Sequence, residues 1–130
     1  MTTQAALIYL TLLMIKHSIA DLSLQGRIPG GDTSKLPLVS RKNIIHSADH
    51  AALGWCCTVL FAPLWLATVM AIGEYIIHYA IDHLKSRFRF AIGLSLQDRN
   101  FWHLQAVDQI LHTLTYVAMA WIVMWNSTLG

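Results

Sequence analysis

Four segments of the chain each carry two histidine or aspartate residues four positions apart, and both residue types bind metal ions. The segments are HSIAD, HSADH, HYAID and DQILH, and the eight residues are His17, Asp21, His46, His50, His78, Asp82, Asp108 and His112. Side chains four residues apart share one face of a helix. Four helices that face one another with these pairs inward would form a single cluster of metal ligands.

The composition of this set predicts a dinuclear site. Five histidines and three aspartates exceed the three or four protein ligands of one zinc ion. They suit two divalent ions about 3.5–4 Å apart, with carboxylates available to bridge them. Imidazole and carboxylate together favour zinc, iron or manganese over copper. We therefore expect two divalent metal ions as cofactors, with zinc preferred and iron or manganese as alternatives.

Three other polar residues lie close to these segments and are candidates for catalysis. Glu74 lies one turn before HYAID, Gln25 one turn after HSIAD, and Lys85 three residues after the aspartate of HYAID. Glu74 is a candidate general base or extra ligand, or a partner in a helix–helix hydrogen bond. Lys85 is a candidate charge partner for the site, or an interfacial anchor whose aliphatic stem covers apolar surface. Gln25 is a candidate supporting contact for the ligands.

Composition indicates that a membrane protein positions these residues. Of the 130 residues, 55% are hydrophobic and only 12% are charged, and the mean hydropathy is +0.49. Four apolar stretches, at about 5–22, 44–61, 64–84 and 101–125, are each near the ~20 residues that cross a bilayer. Such segments must be helical, because lipid offers the backbone no hydrogen-bond partner. We expect an all-α fold, a four-transmembrane-helix bundle that forms one integral membrane domain over residues 1–130.

The placement of basic residues predicts how this bundle lies in the membrane. All but Lys16 fall in two connections. These are the one between helices 1 and 2, with Arg27, Lys35, Arg41 and Lys42, and the one between helices 3 and 4, with Lys85, Arg87, Arg89 and Arg99. The positive-inside rule places both loops in the cytoplasm and both termini outside. Because the helices alternate in direction, all four ligand pairs then come to a similar depth, about one to three turns from the cytoplasmic face.

The motifs in combination resemble those of a family of small multi-span membrane proteins of bacteria and their phages, a family of unknown function. Its members show His-x-x-x-Asp-φ-x-x-Gln, His-x-x-x-His, His-x-x-x-Asp-x-x-Lys and Asp-Gln-x-x-His, where φ is apolar. HSIADLSLQ, HSADHAAL, HYAIDHLK and DQILHTLT match these in order. The resemblance implies that Gln25 and Lys85 act together with the eight ligands. A broader similarity to membrane-bound metal-dependent hydrolases rests on His and Asp motifs at helix ends.

These observations favour a metal-dependent hydrolase in the bacterial inner membrane. Two metal ions would lower the pKa of a bridging water and stabilise charge on the reacting group. Arg27 and Lys35, in a glycine-rich loop, are candidates to hold an anionic headgroup or phosphate, so a lipid-linked or phosphate-bearing substrate is expected. The alternative for these loop charges is that they only set topology. The bilayer is the main partner, a homo-oligomer is compatible with so small a bundle, and no nucleic-acid partner is expected.

Four alternatives remain open from the sequence. One is a transport path, which is disfavoured because the ligands cluster on one side of the membrane and do not form a series across it. Another alternative is that the metal is structural and that the loops bind a protein partner, as in interference between phage and host. Another alternative is that the site is a di-iron redox centre. In the last alternative, the polar residues form a proton relay or a metal-free network that holds the helices together.

Overall fold

The computed structural model describes residues 1–24 and 40–129, and it is helical almost throughout. Its helices are α1 (Thr3–Ile19), α2 (Arg41–Thr58), α3 (Leu64–Ile92) and α4 (Arg99–Leu129). A π-helical turn, Ala20–Leu24, continues α1. No strand occurs in the described ranges, so the all-α prediction is confirmed there.

The helices pack as a ring in which each contacts two neighbours. The α2–α3 contact is the most extensive, followed by α3–α4, α1–α4 and α1–α2. Residues 59–63 make a tight turn that returns α3 along α2. One half of the bundle interior is apolar, built on Tyr9, Leu13, Leu66, Tyr116, Met119, Ala120 and Val123. The polar residues occupy the other half.

The exterior of the bundle is apolar, as expected for a protein solvated by lipid. Leu7, Ile72, Ile76, Val117 and Trp121 are all exposed. Within residues 1–24 and 40–129, three segments are long and apolar enough to cross a membrane: α1 with its π turn, α3 and α4. The chain is therefore consistent with an integral membrane protein.

The prediction of four membrane-spanning helices is wrong for α2, because that helix is too polar to qualify. Its 18 residues include Arg41, Lys42, His46 and His50, and the two histidines are buried against the other helices. The polarity of α2 therefore reflects the interior that it helps to build. The orientation with both termini outside was derived from four crossings, and three candidate spans do not support it.

Helix α3 extends eight residues beyond the predicted end at 84, to Ile92. The basic and aromatic segment after Leu84 contains no helix breaker until Gly93, which adopts a left-handed conformation with φ 70°. The N–H groups of Gly93 and Leu94 then donate to the carbonyls of Phe90 and Arg89, a common helix C-terminal motif. This extension places Lys85 and Arg89 one and two turns beyond Asp82 on α3.

The short connection between α3 and α4 is held by a local polar contact. The backbone N–H and the hydroxyl of Ser95 both donate to Asp98 Oδ2, at 2.6 and 2.7 Å. These two hydrogen bonds hold the pKa of Asp98 below its usual range, because they stabilise its carboxylate. Helix α4 starts directly after this residue.

Candidate metal centre

Six of the eight predicted ligands form two overlapping groups in the centre of the bundle. The first group is Asp21, His46, His50 and His78, and the second is His78, Asp82 and His112. Within each group the ligand atoms lie within 4.8 Å of one another. All six are buried except Asp21, which is half-buried. Together they come from all four helices of the ring, as the spacing predicts.

Asp21 is the carboxylate of the first group. Its Oδ1 lies 3.2 Å from His46 Nε2 and 3.1 Å from His50 Nε2, and its Oδ2 lies 3.3 Å from His17 Nε2. Asp21 belongs to the π-helical turn, and such turns are wider than α-helical ones and occur often at functional sites. One carboxylate thus faces three imidazoles.

Asp82 plays the corresponding part in the second group. Its Oδ2 lies 3.4 Å from His78 Nε2 and 3.7 Å from His46 Nε2, and its Oδ1 lies 3.6 Å from His112 Nε2. His46 Nε2 therefore lies between Asp21 and Asp82, the two carboxylates of the cluster. The groups are not two separate sites but one continuous set of donors.

The imidazole rings pack against one another in the centre of this set. The rings of His50 and His78 are stacked with centroids 3.8 Å apart, and the rings of His78 and His112 are 4.2 Å apart. His78 is the middle ring of the three. It also belongs to both ligand groups, so it is the residue whose removal would disturb the cluster most.

The donor set fits a divalent metal ion. Ligand atoms about 2.0–2.1 Å from a tetrahedral zinc ion lie about 3.3–3.4 Å from one another, and the distances around Asp21 and Asp82 bracket that value. Several buried nitrogens make no hydrogen bond with a described residue: His17 Nε2, His46 Nδ1, His50 Nδ1, His78 Nδ1 and His78 Nε2. Each such orphan costs about 1–3 kcal/mol. A bound cation would use the lone pairs of some of them.

Two predicted ligands, His17 and Asp108, lie beside the two groups rather than in them. His17 Nδ1 shares a hydrogen bond of 2.8 Å with the Tyr116 hydroxyl, which orients the ring towards Asp21. Asp108 Oδ2 accepts a 2.9 Å hydrogen bond from Lys85 Nζ, and its Oδ1 lies 3.6 Å from His112 Nε2. Their contacts are those of residues that orient ligands.

The three predicted catalytic residues have different surroundings. Lys85 contacts the cluster, with its Nζ 3.4 Å from Asp82 Oδ1 in addition to its bond to Asp108. Glu74 instead forms an ion pair with Lys16. Gln25 lies outside the described residues, as do the loop residues Arg27 and Lys35.

Lys16 and Tyr116 are the polar residues that sequence reasoning missed. Lys16 is only 4% exposed, and its Nζ also donates to the His50 carbonyl at 3.0 Å. A charged residue in an apolar segment requires a partner, and Glu74 is an acidic residue in the middle of the predicted apolar stretch 64–84, so the pair was open to prediction. Tyr116 follows His112 by four residues and continues its face.

A polar cavity of about 300 Å³ reaches the cluster where α2 and α4 begin. Its wall includes Lys42, Asn43, Asp82, Lys85, Arg89 and Gln105. Asp82 belongs both to this wall and to the second ligand group. The cavity therefore connects the metal ligands to the polar end of the bundle.

Comparison with known proteins assigns the chain to a family. Residues 9–129 match the family described as "Protein of unknown function (DUF3307)". No curated protein and no solved structure matches the chain. The match agrees with the resemblance to a family of unknown function, whereas the similarity to metal-dependent hydrolases stays a prediction. The chain belongs to the DUF3307 family.

Proposed function

We propose that this protein is a membrane-embedded metal-dependent hydrolase with a dinuclear centre, for which zinc is the preferred metal and iron or manganese the alternatives. The observation that carries the proposal is the pair of overlapping ligand groups that share His78. With His78 counted once, the two groups hold six donors, which suits two ions with three protein ligands each, and a three-ligand zinc site keeps a position for water.

Different residues of the chain would have different roles at such a centre. Metal ions bound there supply Lewis acidity and lower the pKa of a bound water. Asp21 and Asp82 would balance the positive charge of these ions, and their carboxylate oxygens would serve as ligands or accept a proton. Lys85, 2.9 Å from Asp108 and 3.4 Å from Asp82, holds a positive charge beside both carboxylates. Asp108 in turn orients His112.

The proposed substrate is a lipid-linked or phosphate-bearing molecule that reaches the site from the cytoplasmic face. Two observations support this choice. The exterior of the bundle is apolar, which suits a protein whose substrate lies in or on a bilayer. The cavity beside Asp82 carries Lys42, Lys85 and Arg89 in its wall, which suits a substrate with negative charge.

The competing function is structural, and one distance favours it. The 3.1 Å between His50 Nε2 and Asp21 Oδ1 is also the length of a direct hydrogen bond. A closed network of imidazoles and carboxylates, with or without a metal, would hold the four helices together without catalysis. The number of bound metals and the presence of a water-accessible ligand position separate the two functions.

Metal analysis of the purified protein tests the proposal. The protein, extracted in mild detergent and supplied with zinc, is compared with His78→Ala and with the control His103→Ala, which removes an exposed histidine of α4. We expect about two ions per chain in the wild type and the control, and a clear loss in His78→Ala. Less than one ion per chain in the wild type, or equal content in all three, would contradict it.

A hydrolysis assay separates catalysis from a structural metal. Metal-loaded protein is offered bis(p-nitrophenyl) phosphate and p-nitrophenyl phosphate, and product release is followed with and without chelator. Turnover that disappears with the chelator and in His78→Ala supports the hydrolase. Full metal content without turnover on these esters or on phospholipid vesicles would support the structural function.

A further inference from the structure

The cavity beside Asp82 has an excess of positive charge. Among the described residues of its wall, three are cationic, Lys42, Lys85 and Arg89, and one, Asp82, is a carboxylate. Lys85 is already engaged with Asp82 and Asp108. The ammonium group of Lys42, by contrast, makes no hydrogen bond or ion pair with any residue in the described ranges. The cavity is therefore suited to an anion.

Arg89 is held in place in a way that leaves most of its donors for a ligand. Its Nε donates to the Leu94 carbonyl at 3.2 Å, and its guanidinium lies 5.0 Å from the centroid of the Phe101 ring. Its two terminal nitrogens make no hydrogen bond within the part of the chain that the structure describes. A guanidinium fixed by its Nε and by ring contact loses little freedom when it binds an oxyanion.

The N-terminus of α2 adds backbone donors to the same wall. Ser40 caps this helix in an extended conformation, and its Oγ accepts from the Asn43 N–H at 3.4 Å. Ser40, Lys42 and Asn43 all line the cavity. The first N–H groups of a helix have no partner within it, and together with the helix dipole they favour anions such as phosphate.

The surroundings of the cavity place it near a membrane surface. It lies at the C-terminal part of α3 and at the first turns of α4. Phe88, Phe90 and Trp102 are sequence neighbours of residues that line the cavity, and they are 59–60% exposed. Exposed aromatic residues beside basic ones are typical of the interface between lipid and water. An anion in this cavity would lie at the depth of lipid headgroups.

From these observations we infer that the cavity binds the phosphate group of a phosphomonoester, held by Lys42, Arg89 and the N-terminus of α2. The inference rests on the proposed function, because Asp82 belongs both to the cavity wall and to the second ligand group. A phosphate in the cavity would therefore lie beside the proposed metal site. The inference assigns the phosphate to this cavity rather than to Arg27 and Lys35. The phosphate can belong to a membrane lipid or to a soluble ester, and the experiment distinguishes the two.

Calorimetric titration of the full-length, zinc-loaded protein in detergent provides the test. The probes are inorganic phosphate, glycerol 3-phosphate and dioctanoyl phosphatidic acid. The variants are Lys42→Ala and Arg89→Ala, and the control is Arg87→Ala, which removes an exposed arginine of α3 that does not line the cavity. Zinc content is measured in every sample, so that a failed metal site and a failed phosphate site give different results.

We expect the wild type to bind the probes saturably. The affinity should fall by about tenfold or more in Lys42→Ala and in Arg89→Ala, because each variant loses one charge-assisted hydrogen bond. The affinity of Arg87→Ala and the zinc content of every variant should be unchanged. Tighter binding of the phosphatidic acid than of the soluble probes assigns the phosphate to a lipid, and equal affinities assign it to a soluble ester. Absence of saturable binding in folded, zinc-loaded protein would overturn the inference. So would equal losses in Arg89→Ala and Arg87→Ala.

Discussion

The bundle contains two buried polar regions, which differ in how completely their charges are satisfied. In the first, Lys16 forms an ion pair with Glu74, donates to the His50 carbonyl at 3.0 Å and lies 4.7 Å from the centroid of the Tyr116 ring. Only Glu74 Oε2 of this first region is buried without a hydrogen bond to a described residue, whereas in the second, the His and Asp cluster, five buried ring nitrogens have none. Both regions use residues that are costly in an apolar interior.

This difference separates a structural role from a ligand-binding one. A buried ion pair whose two charges neutralise each other joins the helices that carry it, here α1 and α3. A set of imidazoles and carboxylates with orphan nitrogens retains unused lone pairs, which suits a metal ion. Glu74, a candidate general base by its position, belongs to the first region. Its Oε2 lies against Gly54.

The largest effect is expected from breaking the ion pair. Lys16→Met or Glu74→Leu alone leaves one buried charge without its partner and should lower the free energy of unfolding by about 3–5 kcal/mol. The double variant should recover most of this loss, because two apolar residues can replace a buried pair. Denaturant titration in detergent measures all three. Equal stability of the single and double variants would show that the two charges are not coupled.

Removal of metal should have the next largest effect, and only in the second region. A ligand present at about 100 times its Kd stabilises the folded state by about 2.7 kcal/mol. A strong chelator should therefore lower the thermal midpoint of the wild type but leave that of His78→Ala unchanged. A chelator effect of the same size in both proteins would mean that the cluster is not where the metal binds.

A smaller loss is expected where the first region is packed most tightly. A Cβ at Gly54 would collide with the Glu74 carboxylate, whereas a Cβ at Gly73 meets nothing within 4 Å. Gly54→Ala should destabilise the protein by about 1–3 kcal/mol. Gly73→Ala, the matched control, should be neutral or slightly stabilising, since alanine favours helix. The same denaturant titration compares them, and equal effects would contradict the packing argument.

The smallest effect concerns Tyr116, which contacts both regions. Tyr116→Phe keeps the ring beside Lys16 but removes the 2.8 Å hydrogen bond to His17 Nδ1. We expect a loss of about 0.5–1.5 kcal/mol in stability, together with weaker zinc binding because His17 is no longer oriented. Tyr75→Phe, on a partly exposed tyrosine, is the control. If the zinc affinity of Tyr116→Phe is unchanged, the Tyr116 hydroxyl contributes to stability and not to zinc binding.

Local patterns were enough to predict the helices and the pairing of ligands on each of them. Apolar runs of near-bilayer length predict helices, and a spacing of four places His78 and Asp82 on one face, because both depend on residues close in sequence. The end of α3 was predicted eight residues too early, since the basic segment after Leu84 was read as a connection. Glycine at position 93, rather than polarity, ends this helix.

What the sequence by itself determined is thus the class of the fold, the apolar exterior and the identity of the metal-ligand residue types. Only the tertiary structure decided which of the ligands meet, because the depth and rotation of each helix depend on packing against its neighbours. That packing places His17 and Asp108 beside the two groups, joins Lys16 to Glu74 across 58 positions, and turns the polar face of α2 inward. It also brings Lys42 and Arg89 to one cavity, although no local pattern relates them.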